Sequence, residues 1–161
     1  MMKTFILLLI LTVSVFANEH LEKGEKLLYS FKTQKGKTVT IAVGANDSYM
    51  VYRYGKEGKI EFEYPKNRKN SFGKFTFSSY FRGGGAQNEG LDLNALSFTN
   101  KSYKYTIFDE YSAADESRDI GIRITKKGKK ITTIKGVVKT IKGSLSSLEN
   151  YPVKTTSESG E

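Results

Sequence analysis

The chain has 161 residues, a formal net charge of +9, no cysteine and a single histidine. The lack of cysteine excludes disulfides, thiol nucleophiles and thiolate metal sites. The single histidine, His20, lies close to the N-terminus, so no histidine-based triad or metal site is expected inside the fold. We therefore predict no catalytic residues, no metal site and no cofactor.

The first 17 residues predict a secretory signal peptide. Lys3 supplies a positive charge, residues 4–16 form a mostly apolar run, and Val15 and Ala17 occupy the −3 and −1 positions of a cleavage site. The run is shorter than the about 20 apolar residues that cross a bilayer. We predict cleavage after Ala17 and a periplasmic or secreted protein without a transmembrane segment. An uncleaved N-terminal anchor is the alternative.

The rest of the chain alternates apolar and polar residues with the period of two that half-buried strands show. Residues 59–65 are the clearest case, because Ile60, Phe62 and Tyr64 share the core face and the intervening glutamates face solvent. Further strands are predicted at residues 37–43, 48–55, 74–81, 95–99, 103–111, 119–125, 129–138 and 143–148, and residues 25–31 are a further strand or a short helix followed by a strand.

Short turns rich in Gly, Asn, Asp and Lys separate these strands, as hairpins require. About eight to ten short strands joined in this way are typical of a sandwich or a closed barrel. We predict one all-β domain over residues 27–150, an antiparallel β-sandwich or closed β-barrel. A poorly ordered segment at 18–26 and a polar tail at 151–161 flank it. Four side chains opposite the apolar stripe or beside loops are expected to be exposed: Tyr49, Arg53, Tyr80 and Tyr111.

Residues 80–94, YFRGGGAQNEGLDLN, place an arginine, three glycines and several polar residues between two strands. Glycines supply positive φ and bare N–H groups, so Arg82 beside them could complete an anion nest. The favoured alternative is a corner from which Leu91 and Leu93 re-enter the core. Loops on a rigid scaffold often carry binding residues. The candidate binding residues are Arg82, Gly83, Gly84, Gly85, Asn88, Glu89 and Asp92.

Charge is uneven along the second half of the chain. Residues 109–119 carry five acids and one arginine, whereas residues 120–148 carry eight basic residues and no acid. The basic run predicts attraction to anionic polymers or surfaces, although lysines that protect strand edges are a slightly favoured alternative. The acidic run lacks the calcium-loop spacing, so we interpret it as a solvated loop. The candidate binding lysines are Lys126, Lys127, Lys129 and Lys130.

The segments VYRYGKEGKIEFEYP, FSSYFRGGG and LSFTNKSYKYTIFDEYSA resemble small exported bacterial β-proteins of uncharacterised function, over residues 27–138. The resemblance implies export and a β fold, and no activity. Some of those proteins carry a cysteine pair that this chain lacks. At the level of fold alone the chain is similar to periplasmic lysozyme inhibitors, but its positive charge argues against binding a cationic lysozyme.

These observations predict an exported, non-enzymatic binding protein whose basic turns face an anionic component of the bacterial envelope or an extracellular anionic ligand. The alternative is a module that binds a protein partner, such as an inhibitor of a secreted hydrolase or toxin, through residues 82–94. A hydrolase that uses two carboxylates ranks third. No specific recognition of nucleic acid is predicted.

Overall fold

The computed structural model describes residues 19–156, so the predicted signal peptide and its cleavage site lie outside the described residues. Within them, eleven strands form two sheets. The strands are β1 (Lys26–Lys32), β2 (Thr38–Val43), β3 (Met50–Lys56), β4 (Lys59–Tyr64), β5 (Thr76–Arg82), β6 (Leu91–Asn100), β7 (Tyr103–Ser112), β8 (Ser117–Lys126), β9 (Lys129–Lys135), β10 (Lys142–Gly143) and β11 (Lys154–Thr156).

The first sheet has the order β10-β1-β2-β3-β4 and the second the order β11-β5-β6-β7-β8-β9. Neighbouring strands are antiparallel except β11, which runs parallel to β5. Predicted turns such as those between β2 and β3, β3 and β4, β6 and β7, and β8 and β9 join strands that are neighbours in space, whereas the predicted turn at residues 66–73 joins β4 to β5 in the other sheet. Two separate sheets form in the described part of the chain, so the all-β prediction is confirmed and the closed-barrel alternative is wrong.

The two sheets bury their apolar faces against each other. The ring centroid of Phe98 in β6 lies 4.2 Å from that of Tyr64 and 5.1 Å from that of Tyr52. Phe62 of β4 stacks on Tyr105 of β7 at 5.4 Å. Phe62 thus contacts both β6, at Phe98, and β7, at Tyr105, whereas Tyr64 contacts β6. Aromatic pairs at such distances add stability beyond their buried area.

The outer face of the five-stranded sheet is covered by residues 19–25, so the predicted exposure of Arg53 is wrong. The Arg53 side chain is fully buried and donates to the carbonyl oxygen of His20 at 2.8 Å and to the carboxylates of Glu25 and Glu63. A buried guanidinium requires such acceptors. The segment predicted to be poorly ordered therefore makes specific contacts with β3.

The C-terminal part departs from the predicted pattern. Of the strand predicted at residues 143–148 only Gly143, in β10, is in a strand, because a 3₁₀ helix over Leu145–Asn150 follows and buries two leucines. The hydroxyl of Ser144 accepts a hydrogen bond from the N–H of Ser146 and caps this helix. β11 lies in the predicted polar tail, so the ordered β structure extends beyond residue 150. Within the described residues no helix is long and apolar enough to cross a membrane.

Candidate binding site

The residues predicted to bind a ligand lie at opposite ends of the six-stranded sheet. The loop of residues 83–90 joins β5 to β6 at the end where Ser117 begins β8. Lys126 pairs with Lys129 at the other end. The ten residues of β8 separate the two ends, which is about 30 Å at the rise of a strand. The structure therefore does not bring the glycine loop and the lysines into one site.

The glycine loop is a corner that its own groups close. Gly84 and Gly85 have φ angles of 101° and 62°, which favour glycine. The guanidinium of Arg82 donates to the carbonyl oxygen of Glu89 at 3.0 and 2.6 Å. The N–H of Gly90 donates to the carbonyl oxygen of Gly85 at 2.8 Å. The N–H groups of Arg82 are thus bonded to an acceptor within the loop, as a corner requires. A 3₁₀ turn, Ala86–Asn88, completes it.

The strand after the loop faces the opposite way from the prediction. Leu91 and Leu93 are half-buried on the face away from the core, whereas Asp92 lies on the core side. Asp92 pairs with Phe81 on one neighbouring strand and with Tyr111 on the other. Phe81 is 77% exposed because the five-stranded sheet does not cover this end. An exposed aromatic side chain therefore lies beside the predicted binding loop.

Most of the acidic run belongs to β7 and β8, and only the exposed turn that holds Asp115 and Glu116 is the predicted solvated loop. Arg118 donates to both carboxylate oxygens of Asp109 at 2.7 Å. The Tyr29 hydroxyl donates to Asp109 at 2.8 Å. Burial and the Asp109 charge raise the pKa of Tyr29, which keeps its proton on the hydroxyl. Asp119 pairs with Lys135. The carboxylates of Asp109 and Asp119 are thus engaged in cross-strand ion pairs. Among residues 19–156, no three acidic or histidine side chains are grouped as metal ligands.

Two neighbouring hairpin turns bring lysines together at the other end of the sheet. Lys101 and Lys127 occupy the turns β6–β7 and β8–β9 with φ angles of 56° and 49°. Lys126 lies directly opposite Lys129, and its Nζ lies 4.9 Å from the ring centroid of Tyr103. Residues 93–108 and 120–148 contain no acid. We call this group of exposed side chains the lysine end: Lys101, Lys104, Lys126, Lys127, Lys129 and Lys130.

The outward face of the six-stranded sheet forms a groove of about 580 Å³ that the sequence analysis missed. The strand register aligns Thr76, Ser97 and Thr106 across β5, β6 and β7. These three half-buried side chains form the floor of the groove, and we call them the hydroxyl row. In the sequence, the hydroxyl residues at alternate positions of TFSS and LSFT point to one face of each strand. Their alignment into a row cannot be predicted from this pattern, because it depends on the register between strands.

One end of the hydroxyl row is held by an arginine. Arg123 lies opposite Thr106, and its guanidinium lies 3.9 Å from the ring centroid of Phe108. It donates to both carboxylate oxygens of Glu110 at 2.7 and 2.6 Å. A cation over an aromatic ring and a bidentate carboxylate fix a guanidinium in one orientation. Lys104, a member of the lysine end, also lines the groove.

The fold and these surfaces define an all-β protein of two sheets, similar to a sandwich. No family model, no curated protein and no solved structure matches this chain. Its candidate sites are therefore assigned from geometry and charge alone. Two surfaces stand out on the six-stranded sheet, the lysine end and the groove that adjoins it.

Proposed function

We propose that this protein is an exported, non-enzymatic β-sandwich protein that binds an anionic polymer or surface through its lysine end. The observation that carries the proposal is the placement of six exposed lysines on two neighbouring hairpins without an acid in the adjoining strand segments. Ammonium groups of one sign raise the local potential and attract anions.

The arrangement of the lysines favours binding over simple protection of strand edges. Lys126 and Lys129 are direct cross-strand partners, and like charges in that position destabilise a sheet. Elsewhere on the same sheet, Arg118, Arg123 and Lys135 have acidic partners in Asp109, Glu110 and Asp119. Within residues 19–156 the lysine end has no salt-bridge partner, which is explained if the ligand supplies the counter-charge.

The lowered pKa of the buried Glu25 favours a binding role over a hydrolase that uses two carboxylates. Burial raises the pKa of Glu25, but hydrogen bonds from Arg53 and other groups outweigh it and leave the pKa lowered. A general acid needs a carboxyl that stays protonated near neutral pH, and arginine partners have the opposite effect.

We propose export because residues 1–17 have the sequence pattern of a signal peptide. The mass of the recovered protein tests this proposal. We expect protein recovered from the periplasm or the medium to begin at Asn18, which intact mass spectrometry measures. A full-length mass in a membrane fraction would instead show the uncleaved anchor.

The binding proposal is tested by reversing charge at two places. In one variant Lys126, Lys127, Lys129 and Lys130 are replaced by Glu. In the matched variant four exposed lysines elsewhere are replaced by Glu, namely Lys23, Lys35, Lys69 and Lys139. Both variants have the same net charge. Affinity for polyphosphate is measured by titration calorimetry at about 50 mM and about 300 mM salt.

We expect the lysine-end variant to bind polyphosphate about 100-fold more weakly than the wild type, and the matched variant less than about tenfold more weakly. The wild-type affinity should fall steeply with salt. Equal losses of affinity in the two variants, or a wild-type affinity that does not change with salt concentration, would contradict the proposal.

A protein partner at the opposite end of the sheet is a second candidate function. Phe81 is 77% and Tyr111 38% exposed, and Arg118 pairs with Tyr111 in the strand register. Aromatic and arginine side chains dominate protein interfaces. We expect the wild type to recover one protein in stoichiometric amount from envelope extract and Phe81→Ala to lose it. Recovery of no such protein by the wild type would contradict this candidate.

A further inference from the structure

We propose that the groove on the outward face of the six-stranded sheet binds a linear polysaccharide that carries carboxylate groups. This inference rests on the proposed function, because the groove adjoins the lysine end and shares Lys104 with it. It goes further by naming the chemical class of the anionic ligand and a second set of contacts for it.

The floor of the groove suits a ligand that carries hydroxyl groups. Thr76, Ser97 and Thr106 lie on three successive strands, so their side chains repeat at about 4.8 Å across the sheet. The hydroxyl of Ser97 donates to the carbonyl oxygen of Thr76 at 3.4 Å and keeps its acceptor sites, and each threonine hydroxyl can donate one hydrogen bond and accept two. Because a sugar hydroxyl has the same capacity, a row of neutral donors and acceptors complements a sugar chain better than it complements a run of phosphates.

The size of the side chains also sets this face apart from an ordinary solvent-facing sheet. Outward faces of antiparallel sheets are polar, and long charged side chains are common there. Here the floor positions carry Thr, Ser and Ala, including Ser78 and Ala95, and the long side chains of Lys74 and Lys104 stand at the border. Short floor residues and long border residues leave space for a ligand between them.

The charges at the border explain why the polysaccharide should be acidic. Lys74 and Lys104 are exposed and line the groove, Lys74 on the side of β5 and Lys104 on the side of β7. Arg123 is engaged with Glu110, so those two charges largely offset each other. The net charge that a ligand meets is therefore positive, and it continues into the lysine end. Carboxylates along a sugar chain match this charge, while the hydroxyls between them match the floor.

An aromatic side chain at the far end of the groove adds a contact typical of sugar recognition. Tyr80 is half-buried and lines the groove beside Leu93, its partner across the sheet. The ring presents an apolar face and a polar tip in one side chain. The C–H face of a sugar ring can pack on the apolar face of Tyr80, while the sugar hydroxyls form hydrogen bonds with the tyrosine hydroxyl.

The test removes the hydroxyls without changing charge or shape. The groove variant combines Thr76→Val, Ser97→Ala and Thr106→Val. The matched control removes three exposed hydroxyls outside the groove, by Thr132→Val, Thr155→Val and Ser48→Ala. If the groove variant does not fold, as judged by circular dichroism, Ser78→Tyr fills the groove from a single position instead. The probes are polygalacturonate, its methyl ester, and polyphosphate of matched charge.

We expect the groove variant to bind polygalacturonate at least about tenfold more weakly than the wild type, because each lost hydrogen bond reduces affinity. Its affinity for polyphosphate should stay within about twofold. The matched control should bind both polymers as the wild type does. The methyl ester should bind at least about tenfold more weakly than the free acid.

The outcomes separate this inference from the function on which it rests. An unchanged affinity of the groove variant for polygalacturonate, or an equal loss for both polymers, would overturn the groove assignment alone. Equal binding of the ester and the acid would overturn the carboxylate requirement. Wild-type binding of both polymers by the lysine-end variant would overturn the proposed function itself.

Discussion

Arg53 and Glu25 form an ion pair in which both side chains are buried. The guanidinium of Arg53 donates to Glu25 at 2.9 Å, and the two side chains are 0% and 1% exposed. Glu25 also accepts from the hydroxyl of Tyr49 at 2.9 Å. This pair attaches the chain that precedes β1 to the outer face of the five-stranded sheet.

Replacing Arg53 by Met is therefore expected to lower the free energy of unfolding by about 3–5 kcal/mol, because Glu25 is left as a buried charge without a counter-charge. Urea denaturation measures the change. Lys35→Met, at an exposed basic residue, is the control and should change stability by less than about 0.5 kcal/mol. The double variant of Arg53→Met with Glu25→Gln should recover part of the loss. A cost below about 1 kcal/mol for Arg53→Met would show that the pair is not buried in solution.

The stability of the protein should depend on pH through the same glutamate. The pKa of Glu25 is lowered in the folded state, so the unfolded state binds more protons on acidification. The stabilisation is present above about pH 4.3, the ordinary pKa of glutamate, and is lost as the pH falls through the lower folded pKa. We expect wild-type stability to fall steeply below that pH in urea denaturation. Glu25→Gln should be less stable at neutral pH and should show a shallower acid slope; an identical slope would contradict the assignment.

Gly121 in β8 and Gly73 in the turn before β5 make a matched pair for a backbone test. A Cβ on Gly121 would lie 2.4 Å from the carbonyl oxygen of Ile134 and 3.0 Å from the Phe108 ring, whereas a Cβ on Gly73 would meet nothing within 4 Å. Gly121→Ala should therefore cost about 1–3 kcal/mol, since the sheet must shift. Gly73→Ala should be neutral or slightly stabilising. Thermal unfolding of both variants measures this, and equal melting temperatures would contradict the close approach of β8 and β9.

Two phenylalanines of the six-stranded sheet should respond very differently to truncation. Phe98 is 3% exposed and contacts five aromatic rings, so Phe98→Ala should cost about 3–5 kcal/mol. Phe81 is 77% exposed, and Phe81→Ala should change stability by less than about 0.5 kcal/mol. Urea denaturation distinguishes the two. Similar costs would mean that the two sheets do not pack around Phe98.

The strands were predictable from the sequence because hydrophobic alternation depends only on near neighbours. The prediction for residues 103–111 nearly coincides with β7, and that for 119–125 lies within β8. The prediction for 143–148 was wrong, since Leu145 and Leu148 are three residues apart and point inward from a 3₁₀ helix. A short apolar pattern of this kind does not separate a strand from a helical turn.

The candidate sites were predictable only in part. The lysines of the β8–β9 hairpin were identified from composition, but their union with Lys101 and Lys104 depends on which hairpins are neighbours. The prediction that Arg53 is exposed was wrong because alternation tells which face a side chain points to and not what covers that face. Residues 19–25, far away in the chain, cover it.

The sequence by itself determined that the chain forms strands with short polar turns, since the period of two and the turn residues are local properties. It also determined the charge of the β8–β9 hairpin and the lack of cysteine chemistry. Only the tertiary structure decided the division into two sheets, the burial of Arg53, the distance between the glycine loop and the lysine end, and the hydroxyl row. Each of these depends on contacts between residues that are distant in the chain, and such contacts follow from strand register and packing rather than from local pattern.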